Sequence, residues 1–174
     1  MIWRRTKRIL FLGLVVLSCV ASPLSGANQE KETLVIHVKS LADQKNRFFF
    51  IPQLTLRALE AEHRVIIVFD AKGVMAIKIG HWYGGDTTVL DKIDFSEEER
   101  ASLAAQLGFS PASAPSNHGE FLRLLRGKGV ELYANEEMMH TYRIAKDKYD
   151  TSVIPVGLDR MMELLSEADA YVSY

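Results

Sequence analysis

Cysteine is almost absent from this chain of 174 residues: Cys19 is the only one. It falls in an apolar N-terminal stretch read below as a leader, so the folded part is expected to carry no thiol. Disulfide exchange, persulfide carriage, cysteine nucleophiles and thiolate metal sites all need a deprotonated sulfur, and positions 20–174 hold no cysteine to supply one. An excess of basic charge is also missing. The chain has 21 Lys and Arg against 22 Asp and Glu, and four of the basic residues (Arg4, Arg5, Lys7, Arg8) lie in the leader. The remainder therefore carries 17 basic residues against 22 acidic ones, a formal charge of −5, which argues against nucleic acid as a partner. Glycine-rich phosphate loops, a dinucleotide fingerprint after the first strand, a nucleophile elbow and a zincin helix are absent too. No cofactor is expected on these grounds. Neither an internal repeat nor a low-complexity tract is found.

What is present begins with that leader. Four basic residues precede the apolar run 9–17, small residues extend it, and Pro23 breaks it. Basic, then apolar, then small is the layout of a secretory signal, and the run is shorter than the roughly 20 residues that cross a bilayer as a helix. Ser25 and Ala27 place the expected cleavage before Asn28, giving a signal peptide over 1–27 and one α/β domain over 28–174. The expected location is periplasmic or otherwise exported. An alternative is a lipoprotein anchored through Cys19, because 16–19 (VLSC) is similar to a lipid-attachment motif. Membrane contact is expected only in that case.

Beyond the leader, 33–38 (TLVIHV) and 64–69 (RVIIVF) are β-branched runs with little alternation, as in strands covered on both faces. Helical spacing of Ile51, Leu54, Thr55, Ala58 and Leu59 predicts a helix over 48–62 between them. A short helix is expected over 73–79 and irregular structure over 80–94. Ser96 with Glu99 is a capping-box signature for a helix ending at Gly108, and Asn117 with Glu120 repeats it for a helix through Arg126. A strand over 130–134, a helix over 136–148 capped by Asn135, a strand over 151–156, a helix over 158–167 burying Met161, Met162, Leu164 and Leu165, and a strand over 170–174 complete the order. Strands alternating with helices predict a single three-layer α/β domain, a doubly wound, mostly parallel five-stranded sheet with right-handed crossovers.

The segment Gly129-Val-Glu-Leu-Tyr-Ala-Asn135, followed by Val153-Ile-Pro-Val-Gly157-Leu-Asp-Arg-Met-Met-Glu-Leu-Leu165, resembles the DsrE/DsrF-like family of sulfur-relay proteins. Residues 34–38 and Phe69-Asp-Ala-Lys-Gly73-Val-Met-Ala-Ile-Lys78 add to the likeness, which spans most of 33–174. The resemblance implies a flavodoxin-like subunit that assembles into trimers or hexamers, with itself or with related DsrE-like subunits. In thiol-bearing members it also implies sulfane sulfur accepted as a cysteine persulfide. Here Asn135 stands where the family pattern places that cysteine, and an amide cannot hold sulfur.

Ligands of parallel sheets bind outside the carboxyl ends of the strands. That rule selects Lys39, Ser40, Asp70, Lys72, Asn135, Glu136 and Gly157 as candidate ligand-binding positions. Asn135 and the helix start after it suit a small anion or sulfur compound, against the plainer reading of Asn135 as a helix cap. Glu136 and His140 share one helix face beside Met138 and Met139, which makes a soft-metal site the alternative. His37, in a buried-looking strand, reads as structural, as do His63 and His118. His81-Trp82-Tyr83 is a second candidate surface. The expected function is an exported, noncatalytic DsrE-like subunit that binds a small ligand or a protein partner near sulfur metabolism. The alternative is a periplasmic metal-binding protein using Glu136 and His140.

Overall fold

The computed structural model describes residues 31–40, 50–80 and 85–174, all within one compact unit, Lys31–Tyr174. The leader, the start of the 48–62 helix, most of the loop after the first strand, and His81-Trp82-Tyr83 lie outside the described residues.

Two β-branched runs form the centre of the sheet: β1 is Thr33–Val38 and β2 is Arg64–Phe69. Both are buried nearly throughout, which explains why their sequences show no polar alternation. With β3 (Glu131–Asn135), β4 (Ile154–Val156) and β5 (Ala170–Ser173) they make a five-stranded sheet of order β4-β3-β2-β1-β5. Every pairing is parallel, with Val38 opposite Phe69, Phe69 opposite Ala134, and His37 opposite Ser173. The domain is a flavodoxin-like α/β fold of the expected class.

The helices are α1 (Phe50–Glu60), α2 (Glu97–Leu107), α3 (His118–Gly127), α4 (Glu136–Thr141) and α5 (Leu158–Ser166). Successive steps from β1 to β4 run in one direction, whereas the step from β4 to β5 reverses. Right-handed crossovers then require α5 to cover the opposite face. The packing agrees. Leu34, Ile36, Val38, Ile67, Phe69 and Leu132 join Ile51, Leu56, Phe121 and Leu125 in the larger core, while Val35, Ile66 and Val68 meet Met161 and Leu164 of α5 in a smaller one. Burying such side chains contributes about 1.5–3 kcal/mol each.

Local signals account for most boundaries. Ser96 Oγ accepts from Glu99 N at 3.2 Å, Glu99 Oε2 accepts from Ser96 N at 2.7 Å, and Gly108 closes α2 at φ 69°. At α3, Asn117 Oδ1 accepts from Glu120 N at 2.9 Å, but the Glu120 carboxylate accepts from Ser116 N at 2.7 Å instead of from the cap itself.

Several expectations are corrected. The helix over 136–148 stops at Thr141, because Arg143 adopts a left-handed φ of 51° and Ile144 N donates back to Met139 O at 2.9 Å. The strand over 151–156 is only Ile154–Val156, since Asp150 Oδ1 accepts from Ser152 N and Oγ and makes a side-chain turn of the preceding residues. Met162 is 60% exposed, not inward; α5 buries Met161 and Leu164, with Leu165 partly buried beside them. The short helix expected over 73–79 is a 3₁₀ segment, Ala71–Ile77, capped by Asp70.

Candidate functional site

Three strands deliver side chains to one end of the sheet. Val38 ends β1 and is followed by Lys39 and Ser40; Phe69 ends β2 and is followed by Asp70; Asn135 is both the last residue of β3 and the cap of α4. A close approach holds the β1 and β2 ends together. Gly73 N donates to Lys39 O at 3.2 Å and to Asp70 O at 2.7 Å, and a Cβ on Gly73 would lie 1.9 Å from Val38 O. Only glycine fits there.

Along this edge runs a continuous side-chain chain of hydrogen bonds. Asn135 Oδ1 accepts from Met138 N at 3.2 Å, and its Nδ2 donates to Asp70 Oδ1 at 2.8 Å. Asp70 Oδ1 also accepts from Ala71 N at 2.7 Å. Asp70 Oδ2 lies 3.1 Å from His37 Nε2, and His37 Nδ1 lies 2.7 Å from Tyr171 Oη. Lys39 Nζ stands 5.9 Å from the centre of the Tyr171 ring, a cation–π separation. Burial holds the His37 pKa below the usual histidine value; the hydrogen bond and charge of Asp70 oppose that shift and the Lys39 charge adds to it.

The neutral imidazole has a fixed orientation in this setting. A carboxylate can only accept, so Nε2 carries the proton toward Asp70, and Nδ1 presents its lone pair to the Tyr171 hydroxyl.

Of the positions expected at the site, Lys39, Asp70 and Asn135 are drawn together through His37, and Ser40 follows directly on Lys39. Glu136 and Gly157 are not in the chain. Glu136 Oε1 lies 3.8 Å from His140 Nε2 on an exposed face of α4, and no group of three or more potential metal ligands occurs among the described residues. Gly157 caps α5 without a side chain, and the Glu137 carboxylate takes that place by accepting from Leu158 N at 3.3 Å. Lys72 is exposed in the 3₁₀ segment after β2. His37 and Tyr171 were not among the expected site residues. The signal that could have placed them is register: in parallel pairing with Val35 opposite Tyr171 and His37 opposite Ser173, both side chains emerge on the same face.

No protein-family model matches the chain, and no curated protein matches it by sequence. Two solved structures are similar to the chain at low identity. A protein of unknown function, MTH1491 from Methanobacterium thermoautotrophicum, is 16% identical over 82% of this chain and 99% of its own, with a TM-score of 0.48. The YchN protein from E. coli is 12% identical over 83% of this chain and 99% of its own, with a TM-score of 0.47.

Proposed function

We propose that this chain is an exported DsrE-like subunit that binds a small anionic or sulfur-containing ligand at the carboxyl edge of its sheet, near sulfur metabolism, and has no persulfide transfer of its own. The observation that carries the reading is the state of Asn135. It is 6% exposed, and both ends of its amide are engaged, one in capping α4 and the other in holding Asp70. The position that resembles a sulfur-bearing one thus supports the edge mechanically. Lys39 and Ser40 after β1 and Lys72 after β2 bring cationic and hydroxyl groups to the same end of the sheet, chemistry that suits an anion.

Association with a second copy of the chain belongs to the same reading. It is supported by Leu158 and Met162, one helical turn apart on α5 and 57% and 60% exposed, with Ile154 of β4 at 40%.

Calorimetric titration of the purified protein with thiosulfate and with sulfite tests the ligand. Saturable heat that falls at least about tenfold in affinity in Lys39→Ala, consistent with loss of one charge-assisted contact, is expected. Heat that is absent, or indifferent to Lys39, contradicts it. Mass measurement of the secreted product, expected to begin at Asn28, tests export separately.

A further inference from the structure

The carboxyl edge also holds a reactive group that ligand binding does not need. Tyr171 lies on the edge strand β5 and is 48% exposed, whereas His37 beside it is 4% exposed. The phenol oxygen is 2.7 Å from His37 Nδ1, and the other ring nitrogen is 3.1 Å from Asp70 Oδ2. Asp70 is itself held by Ala71 N and Asn135 Nδ2. Donor order is fixed by chemistry: Nε2–H donates to the carboxylate, so the phenol O–H donates to Nδ1. Nucleophile, base and orienting carboxylate stand in line, which is the arrangement that activates a hydroxyl. The ammonium of Lys39 stands 5.9 Å from the centre of the same ring, a cation–π separation.

We propose that Tyr171 is a nucleophile, activated by His37 and positioned through Asp70, that accepts acyl groups from small activated carboxylic esters. In the step, a lone pair of Tyr171 Oη forms a bond to the carbonyl carbon and the phenol proton passes to His37 Nδ1. The ester C–O bond breaks, and its electron pair leaves with the alcohol portion as an oxyanion. The product is acyl-Tyr171, and the imidazolium returns its proton to water. No electron donor or acceptor is required. This goes beyond the ligand-binding reading and stands whether or not a sulfur anion binds.

The test uses p-nitrophenyl acetate with the purified protein, and follows acetylation of each tyrosine by mass spectrometry as pH is raised. The charged and titratable groups facing His37 are Asp70, Lys39 and Tyr171. At neutral pH Tyr171 should acetylate about a hundredfold faster than Tyr142, the scale of general-base assistance. Its rate should level off once His37 is neutral, well short of the range near about 10 where free phenols ionise. His37→Gln should reduce Tyr171 to the rate of Tyr142. The proposal is overturned if Tyr171 and Tyr142 rise together through the phenol range, or if a folded His37→Gln protein acetylates Tyr171 as fast as before. Where His37→Gln does not fold, the pH profile of the unaltered protein decides.

Discussion

Asn135 Nδ2 donates to Asp70 Oδ1 across 2.8 Å, joining the end of β3 to the end of β2. The same amide caps α4 through its oxygen. One side chain therefore ties a strand end, a helix start and the carboxylate that orients His37.

Exchanging donor for acceptor at this position isolates the bond. Asn135→Ala loses a cap and a hydrogen bond, at a cost of about 1–2 kcal/mol. Asn135→Asp retains a cap acceptor but turns a carboxylate toward Asp70, so it is expected to be the less stable of the two at pH 7, by about 1 kcal/mol, through like-charge repulsion. Urea unfolding checks the order, and the gap should close on acidification as the new carboxyl takes a proton.

Gly73 is a separate matter of space. Its Cβ-equivalent position is 1.9 Å from Val38 O, a backbone atom that cannot rotate away. Gly73→Ala should cost more than the about 1–3 kcal/mol of ordinary overpacking, seen as a large fall in thermal midpoint. It should also disturb the Lys39 and Asp70 amide signals before those of the amino edge.

Acid stability should depend on His118. Burial lowers its pKa to about 4, opposed by the charge of Glu99, and its ring packs 4.2 Å from that of Phe95. The folded state thus binds a proton less readily than the unfolded chain, whose histidines titrate near about 6.5. Stability is full above that value, falls as pH drops through the interval, and stops changing from this source below about 4; the loss is on the order of 3 kcal/mol. His37 acts in the same direction. In His118→Phe, denaturant midpoints at pH 7 and pH 5 should lie closer together than in the unaltered protein.

The exposed apolar side chains of α5 give a prediction about association. Leu158→Lys with Met162→Lys removes two hydrophobic surfaces that are more than half exposed. Sedimentation should show the unaltered protein as an assembly and the double variant as a single chain. Monomer stability should change by no more than about 0.5 kcal/mol, as for ordinary surface substitutions.

Much of the scaffold was legible because it rests on local chemistry. The runs TLVIHV and RVIIVF, the Ser96 and Glu99 reciprocal cap and the Gly108 stop each carry their structure in a few adjacent residues. The shortened α4 was not legible, because a left-handed Arg143 leaves no compositional trace. Met162 was misplaced because apolar spacing on α5 allows two stripes, and the one through Met161 and Leu164 is the one that packs on Val35, Ile66 and Val68. Lys39, Asp70 and Asn135 followed from the rule that parallel strands present ligands at their carboxyl ends. His37 and Tyr171 are 134 positions apart in sequence. Their contact depends on β5 pairing with β1, which neither local pattern announces.

The central claim, a ligand-binding carboxyl edge in a subunit whose sulfur position is held by an amide, is tested most directly by amide chemical-shift mapping during titration with thiosulfate. The account predicts saturable shifts confined to Lys39, Ser40, Ala71, Lys72 and the Asn135–Glu136 junction, lost in Lys39→Ala. Shifts that fail to saturate, or that gather at the amino edge around Arg64 and Glu131, would contradict it.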